Sequence, residues 1–412
     1  MIKKIILSAV ILTALTQISI AQTKLKTGVW RGALKTAAGQ EIPFNFDVNN
    51  TGSRQELDII NSTEHFKVPN VTGKGDSVFI KMPLFDSEFK LKQTGNTLSG
   101  QFIKHLGEKD VPMEFTATAA TPYRFFKDAE KPKFDVTGRW SAIIGEGDGR
   151  DTTVGEFKQT GARVTGTFLT TTGDYRFLEG TVAGNQLYLS CFDGGHAFLF
   201  TAKIDDDKTI SGGKFYSGAT GTDVWAAVKD ENAKLPDAYS LTALKPGYKK
   251  LDFNFKDLTG KPVSLNDARF KNKVVIVQIL GSWCPNCMDE TAYMVNYYKK
   301  YQHKGVEVIG LAYERTTDFA KSQKALTQLK TRFDIKYPIL ITGFTNNKIE
   351  TAKSLPMLTK VVGFPTTIII DKAGDVRKIH TGFSGPGTGN HYTEFISEFE
   401  KLTDDLLAEK AM

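Results

Sequence analysis

The sequence has few cysteines and no block of charge of one sign. Of its 412 residues only three are cysteine, too few to hold a disulfide-rich scaffold together. Lys and Arg (53) exceed Asp and Glu (46) by 7, but they are spread along the chain, so the basic tract expected of a nucleic-acid-binding protein is missing. A composition of 40% hydrophobic and 24% charged residues argues against collagen, coiled coil and long disorder. At about 150 residues per domain, the length predicts two or three domains.

Beyond its N-terminus the sequence has no apolar stretch long enough to span a bilayer. At the N-terminus, Lys3 and Lys4 precede an apolar stretch that ends in Ser19-Ile20-Ala21. This pattern predicts a signal peptide over residues 1–21, cleaved before Gln22. The alternative is an uncleaved anchor helix, but the stretch is shorter than the ~20 apolar residues of a span and contains polar residues. We therefore expect an exported protein.

Residues 22–230 consist of short strand patterns separated by glycine turns, and the pattern repeats. The segment Thr27-Gly28-Val29-Trp30 matches Thr137-Gly138-Arg139-Trp140, and Phe115 matches Trp225, both 110 positions further on. Because such a period is too long for a solenoid, we predict two antiparallel all-β modules, 22–125 and 126–230, each a barrel or a sandwich. Trp30 and Trp140 are expected to fill the two cores, although a ligand cavity is the alternative.

The chain changes character after residue 230. Residues 231–247, which contain Pro236, Pro246 and Gly247, are predicted to be a linker. In the region 248–412, the apolar run Val274–Leu280 is typical of a buried central strand. The helix pattern that follows has its apolar positions three or four residues apart, at Met288, Ala292, Val295 and Tyr298. With a strand at Val306–Ala312, a hairpin at Thr366–His380 and a final helix, the order predicts an α/β sandwich of thioredoxin type.

The motif Cys284-Pro285-Asn286-Cys287 lies where the central strand gives way to this helix. Pro285 suits the first helical position, which places the Cys284 sulfur near free backbone N–H groups and the positive end of the helix dipole. Such a position lowers the pKa of a thiol, so Cys284 is predicted to be the nucleophile and Cys287 the resolving thiol of dithiol–disulfide exchange.

Two other interpretations of the cysteine pair are a structural disulfide and half of a metal site. The exposed strand–helix junction argues against the first. Against the second, the sequence has no further C-x-x-C or H-x₃₋₅-H pair that would complete a set of ligands. We therefore predict no metal, and the exchange reaction needs no bound cofactor. Cys191, the remaining cysteine, lies in an apolar strand pattern and is predicted to be a small buried residue.

Three segments, in this order, resemble the TlpA/ResA-like branch of the thioredoxin superfamily, the exported thiol–disulfide oxidoreductases of bacteria. They are residues 253–265, 281–287 and 362–367, and the resemblance covers about residues 248–407. It implies an active-site disulfide between Cys284 and Cys287, a cis peptide bond before Pro365, and substrate contacts from Trp283 and the backbone of Phe364. It also implies protein disulfides as substrates, an upstream thiol–disulfide electron donor in the membrane, and a place in the periplasm or cell envelope.

The same resemblance assigns Glu290, three residues after Cys287, to proton transfer. The alternative, which stays open, is a first-turn glutamate that complements the helix dipole. The sequence departs from the family pattern in three places, one of them Thr291-Ala292, which replaces the usual hydrophobic–Pro pair. Asn286 stands where the family often has a second proline, and Gln278 stands where cytosolic thioredoxins bury an aspartate. The protonation route is therefore not settled by the resemblance.

These features predict an exported disulfide reductase whose β modules serve for docking or localisation. One alternative is a peroxiredoxin-like thiol peroxidase, but the residues before Cys284 lack the Pro-x₃-Thr/Ser-x-x-Cys pattern of that family. The other is a surface protein that binds glycan or lipid through its β modules and keeps the thioredoxin-like domain as a scaffold. An intact C-x-x-C together with Pro365 argues against this last reading, since a scaffold needs neither.

Overall fold

The structure is a computed structural model and describes residues 24–52, 54–106 and 109–410. The predicted signal peptide lies outside these residues. Within them, no helix is long and apolar enough to cross a membrane. The described chain forms three units, namely two antiparallel β-barrels followed by an α/β unit.

The first unit is a closed eight-stranded barrel, in which the first strand pairs with both the second and the eighth. Along Arg54–Asn61 and Ser87–Thr94, buried side chains alternate with more exposed ones, as expected where one face of a sheet surrounds a core. Its strands are β1 (Gly28–Lys35), β2 (Glu41–Thr51), β3 (Arg54–Asn61), β4 (Glu64–Lys74), β5 (Ser77–Lys81), β6 (Ser87–Thr94), β7 (Thr97–Leu106) and β8 (Lys109–Ala119).

The second unit is also a barrel, because its second strand pairs with both the first and the third and so closes a ring of eight strands. A two-residue strand, β12, is added at the edge of β11. The strands are β9 (Gly138–Ile144), β10 (Asp151–Thr160), β11 (Arg163–Thr170), β12 (Gly173–Asp174), β13 (Leu178–Ala183), β14 (Gln186–Phe192), β15 (Ala197–Asp206), β16 (Thr209–Ser217) and β17 (Gly221–Lys229).

The repeat in the sequence corresponds to a repeat in the structure. Trp30 on β1 and Trp140 on β9 occupy the first strand of each barrel, and both side chains are fully buried in the barrel cores. Each indole N–H donates to the carbonyl four residues earlier, that of Lys26 at 2.8 Å and that of Val136 at 2.9 Å. The prediction that both tryptophans fill cores is confirmed, and of the two predicted architectures both modules adopt the barrel.

The two barrels share a core at one edge. Phe192, at the end of β14, stacks on Phe44 of the first barrel with ring centroids 4.5 Å apart. The Asn61 side chain holds the backbone of Phe192 through hydrogen bonds of 2.8 and 3.1 Å. The neighbouring Cys191 is a free cysteine, completely buried in the core of the second barrel, as predicted.

The third unit has a seven-stranded sheet and four helices, and it is thioredoxin-like, as predicted. The strand order is β19-β18-β22-β21-β20-β23-β24, with the three central strands parallel. Its elements are β18 (Asn254–Asp257), β19 (Pro262–Ser264), β20 (Val274–Leu280), α1 (Pro285–Tyr301), β21 (Val306–Glu314), α2 (Phe319–Phe333), β22 (Ile339–Thr345), α3 (Lys348–Ser354), β23 (Thr366–Ile370), β24 (Val376–Thr381) and α4 (Asn390–Ala408).

The central strand β20 is buried along its whole length, because helices and loops cover both faces of the sheet. One correction concerns α1. The predicted apolar stripe included Ala292 and Val295, but these are only half-buried, whereas Tyr293 and Tyr297 are buried. The reason is that α1 packs against α4 as well as against the sheet, so that the buried face is centred on the tyrosines.

The segment between the second barrel and the α/β unit is packed against the latter. The hydroxyl groups of Thr242 and Thr381 are hydrogen-bonded at 2.9 Å, and the ring of Tyr239 lies 4.9 Å from that of His380. The first barrel also contacts the α/β unit, since Leu84 belongs to the core cluster that contains α1. The three units therefore pack on one another within the described residues.

Candidate active site

The two cysteines of the C-x-x-C motif lie at the N-terminus of α1. Cys284 is the N-cap of this helix and has an extended backbone, and Pro285 is the first helical residue. The Cys284 sulfur accepts a hydrogen bond from the backbone N–H of Cys287 at 3.2 Å. The two sulfurs are joined in a disulfide, with the Cα atoms 5.2 Å apart.

The tight turn before Cys284 depends on a glycine and a buried glutamate. A Cβ atom on Gly281 would lie 2.2 Å from the indole nitrogen of Trp283, so that only glycine allows the ring to fold back. Glu314, at the end of β21, accepts hydrogen bonds from the N–H and hydroxyl groups of Ser282, at 2.8 and 2.7 Å. Burial raises the pKa of Glu314, and the bonds from Ser282 oppose this shift. Glu314 was not predicted from the sequence. The only sign of it there is an acidic residue at the end of a largely apolar strand.

The segment before Pro365 faces the cysteines. The Phe364–Pro365 peptide bond is cis, as expected from the resemblance. The Cys284 sulfur lies 3.6 Å from the carbonyl oxygen of Phe364. The Trp283 ring meets the ring of Phe364 edge-on at 5.3 Å and donates its N–H to the Tyr313 carbonyl at 2.8 Å. Two aromatic rings therefore flank the disulfide.

The expectation of an exposed strand–helix junction is wrong: the disulfide is almost completely covered, because the second barrel packs against the cysteine motif. Cys284 is 5% exposed and Cys287 is fully buried. Beside Cys284 lies a cleft of about 540 Å³, which we call the active-site cleft. More than half of its lining residues belong to the second barrel: Asp151, Thr152, Thr170, Thr171, Thr172, Asp174, Tyr175, His196 and Phe198. The others are Pro236, Trp283, Cys284, Pro285, Asn286 and Val362.

Glu290 lies one helical turn beyond Cys287 and is completely buried. It accepts hydrogen bonds from the Gln278 amide at 2.8 Å and from the Thr367 hydroxyl at 2.6 Å. Burial raises the pKa of Glu290 to about 7, and the two hydrogen bonds oppose the shift. Gln278, the departure from the thioredoxin pattern, is therefore the partner that orients this carboxyl group.

The raised pKa makes the contribution of Glu290 to stability depend on pH. The folded state holds the proton up to about pH 7, whereas the unfolded chain loses it near 4.5, so that stability falls as the pH rises through this window. The difference in free energy of unfolding between Glu290→Gln and the wild type should therefore shift in favour of the variant as the pH rises from 5 to 8. We expect this shift to be on the order of 2–3 kcal/mol.

Thermal or urea unfolding at both pH values measures this change. The matched control is Glu398→Gln, at an exposed position of α4. Its difference from the wild type in free energy of unfolding should change by less than about 0.5 kcal/mol between the two pH values. The same pH dependence in both variants would contradict the assignment of a buried, protonated Glu290.

The structure brings the predicted site residues together. Trp283, Phe364 and Pro365 lie around the Cys284–Cys287 disulfide. Glu290 is linked to the strand after Pro365 through Thr367. Within the described residues, no group of three or more His, Cys, Asp or Glu side chains is arranged to hold a metal ion. A disulfide at the N-terminus of a helix, opposite a cis-proline on a thioredoxin-like sheet, defines the class: the protein is a thiol–disulfide oxidoreductase.

Comparison with known proteins agrees with this class. Residues 233–394 match the model of the Redoxin family. The thiol-disulfide oxidoreductase ResA of Bacillus thuringiensis is 32% identical over 147 residues, which are 36% of this chain and 74% of the relative. The thioredoxin-like protein YneN of Bacillus subtilis is 30% identical over 139 residues, 34% of this chain and 73% of the relative. Through its C-terminal part, the chain belongs to the ResA-like thiol-disulfide oxidoreductases.

Among solved structures, the thioredoxin domain of a thiol-disulfide oxidoreductase from Bacteroides vulgatus is similar to this chain. It is 25% identical, with a TM-score of 0.28, and the match covers 37% of this chain and 99% of the other. A thiol:disulfide interchange protein from Chlorobium tepidum is 21% identical with a TM-score of 0.30, covering 40% of this chain and all of the other.

Proposed function

We propose that this protein is an exported disulfide reductase in which Cys284 attacks the substrate and Cys287 resolves the intermediate. The observation that carries the proposal is the position of the Cys284 sulfur. It caps α1, accepts the Cys287 N–H at 3.2 Å and faces the carbonyl of Phe364. Backbone N–H groups and the helix dipole stabilise a thiolate at this position, and the thiolate is the reactive form.

The reaction starts from the reduced pair. The Cys284 thiolate attacks one sulfur of a substrate disulfide, forms a mixed disulfide and releases the other substrate sulfur as a thiolate. Cys287 then loses its proton and attacks the Cys284 sulfur, which releases the second substrate thiolate and forms the Cys284–Cys287 disulfide. Two electrons pass from the enzyme dithiol to the substrate, and the substrate thiolates take up two protons.

Glu290 is proposed to take the proton of Cys287 during resolution. Its pKa of about 7 lets the carboxyl group exchange a proton near neutral pH, which a carboxyl group of ordinary pKa does poorly. Its hydrogen bonds to Gln278 and Thr367 hold it in the interior below the cysteines. The alternative, a first-turn glutamate that complements the helix dipole, fits poorly, because α1 begins at Pro285 and Glu290 lies beyond its first turn, completely buried.

The oxidised enzyme requires a source of electrons. We propose an upstream thiol–disulfide carrier in the membrane, which reduces Cys284–Cys287 by the same exchange in reverse. An exported enzyme would meet this carrier and its protein disulfide substrates in the periplasm or cell envelope. Support for export comes from the sequence: two lysines, Lys3 and Lys4, then an apolar stretch and the small residues Ser19 and Ala21.

The barrels are proposed to dock the enzyme to a partner or to place it in the envelope. Their interiors disfavour the alternative of a glycan- or lipid-binding protein, because large side chains fill both cores. Trp30, Phe44 and Phe89 pack in the first core, and Trp140 and Phe168 pack in the second. Small barrels filled in this way leave no room for a ligand inside.

Removing the resolving cysteine tests the exchange mechanism. We expect Cys287→Ala to accumulate mixed disulfides with its substrates, because Cys284 can still attack but nothing releases the product. Non-reducing electrophoresis of the reduced variant after exposure to a disulfide-bonded protein should show a covalent adduct that disappears with dithiothreitol.

Cys284→Ala is the matched control. It keeps Cys287, but this thiol is fully buried and should form no adduct. Equal adduct formation by both variants, or none by a folded Cys287→Ala variant, would contradict the assigned roles.

A further inference from the structure

A loop of the second barrel lies across the active site. This cover loop, residues Thr170–Arg176, connects β11 to β13 and contains β12. Its backbone pairs with the side chain of Asn286, one of the two residues between the cysteines of the C-x-x-C motif. With the amide oriented to satisfy both partners, Asn286 donates to the Asp174 carbonyl at 3.3 Å and accepts from the Asp174 N–H at 3.2 Å. The position that departs from the family pattern is therefore the contact point of the cover loop.

The cover loop also covers the segment before the cis-proline. A Cβ atom on Gly363 would lie 2.3 Å from the Thr172 methyl group, so that the loop packs directly on the Gly363 backbone. Directly after β24, a Cβ atom on Gly382 would lie 2.8 Å from the Thr171 carbonyl oxygen. A folded substrate surface lying on the backbone beside Phe364 would have to occupy the space that Thr172 fills.

All three units hold the cover loop in place. Asp174 accepts the N–H of Gly385, in the α/β unit, at 2.8 Å. Arg176 is buried and forms ion pairs with Asp289 on α1 and with Glu64 in the first barrel. Such charge-assisted contacts between buried groups make the loop part of the packed structure.

What remains open beside Cys284 is the active-site cleft of about 540 Å³. This volume is typical of pockets that hold ligands of drug size, and it would accommodate a few residues of a peptide chain. On the side of the barrel the lining is rich in hydroxyl groups, from Thr152, Thr170 and Thr171, with the carboxylate of Asp151 nearby. These groups suit the N–H and ammonium groups of a peptide.

We propose that the cover loop is a specificity element that restricts Cys284 to disulfides carried by a short or unfolded peptide segment, which can enter the active-site cleft. A disulfide on a folded surface cannot approach the Cys284 sulfur to bonding distance while Thr172 packs on Gly363. The inference rests on the proposed function, since it names the substrate class of the same cysteine pair. The exchange itself is unchanged: two electrons pass from the Cys284/Cys287 dithiol to the peptide disulfide.

The test uses two probes that carry the same disulfide-closed sequence. The first is a short synthetic peptide closed by a disulfide, and the second is the same sequence inserted as a surface loop of a folded, otherwise cysteine-free carrier protein. The rate of each probe with dithiothreitol corrects for its intrinsic reactivity. After this correction, we expect the full-length reduced enzyme to favour the free peptide by at least about tenfold in kcat/KM.

Opening the loop should remove this preference. Thr172→Gly removes the contact with Gly363, and Thr172→Gly combined with Asp174→Ala also removes the bond to Gly385. We expect the ratio of the two kcat/KM values to fall to within about threefold in the double variant and to an intermediate value in the single one. The single variant keeps the test decisive if the double variant does not fold.

A matched control carries the same two types of substitution, Asp206→Ala and Thr209→Gly, in the β15–β16 turn at the other end of β15 from the cleft. Its ratio should equal that of the wild type. Equal reduction of both probes by the wild type, or an unchanged ratio in folded loop variants, would overturn the inference and leave the proposed function standing. Reduction of neither probe would overturn the proposed function, and the inference with it.

Discussion

Replacing Cys284 with serine should abolish disulfide reduction. A serine hydroxyl at the N-cap of α1 can still accept the Cys287 N–H, so the local fold should persist. Serine cannot form the mixed disulfide, however, and Cys287 is fully buried and cannot replace it as the nucleophile. We expect the rate with a peptide disulfide to fall to the uncatalysed background, a loss of at least about 10³-fold.

The matched control is Cys191→Ser, at the third cysteine of the chain. Cys191 lies in the core of the second barrel, where burial raises the pKa of its thiol far above the ordinary value and keeps it unreactive. This variant should lose some stability, because a hydroxyl group enters an apolar core, but keep most of its rate. A comparable loss of rate in both folded variants would show that the assignment of the nucleophile is wrong.

Replacing Arg176 with methionine should cause the largest loss of stability among single substitutions at the interface of the units. Arg176 is buried and pairs with Glu64 and Asp289, and its Nε lies 3.1 Å from Asp193 without the angle of a hydrogen bond. Burial raises the pKa of the Glu64 and Asp289 carboxyls despite the positive charge beside them. Without the Arg176 guanidinium, negative charges are left buried and unpaired, which lowers the free energy of unfolding by about 3–5 kcal/mol.

In a thermal melt, this loss corresponds to a fall of the first unfolding transition on the order of 10 °C at pH 7. The deficit should shrink on acidification, because protonation of Glu64 and Asp289 removes the unpaired charges. The control is Arg163→Met, in the same barrel, where the side chain is 56% exposed and its ion pair with Glu179 is worth at most about 1 kcal/mol. If the two variants have the same melting temperature, the ion pairs of Arg176 with Glu64 and Asp289 do not hold the units together.

The parts of the fold that the sequence revealed depend on short-range patterns. The continuous apolar run of β20 and the cysteine motif at its end predicted a strand–helix junction, and the structure has one at Cys284. The matched tryptophans Trp30 and Trp140 predicted two related β modules, and both lie at the same place in a barrel. Each of these signals is confined to a few neighbouring residues or to a repeat, so that it can be read without knowing the fold.

Other features could not be read in this way. Gln278 looked like a departure from the thioredoxin pattern until the structure placed its amide against Glu290. Asn286 looked like a departure from the family motif until it was found to hold the backbone of Asp174. In both cases the sequence shows the substitution, but the partner that explains it is distant in the chain, and no periodicity links the two.

The class of the enzyme, the position of its cysteine pair and the two β repeats before it can all be predicted from the amino-acid sequence. These follow from local chemistry: a proline at the start of a helix, a C-x-x-C spacing, and alternating apolar residues. That the second barrel closes over the active site is visible only in the folded protein. This arrangement depends on contacts such as that between Asp174 and Gly385, which are 211 positions apart. Such contacts form only when complete units dock, because their strength depends on the relative placement of two folded surfaces.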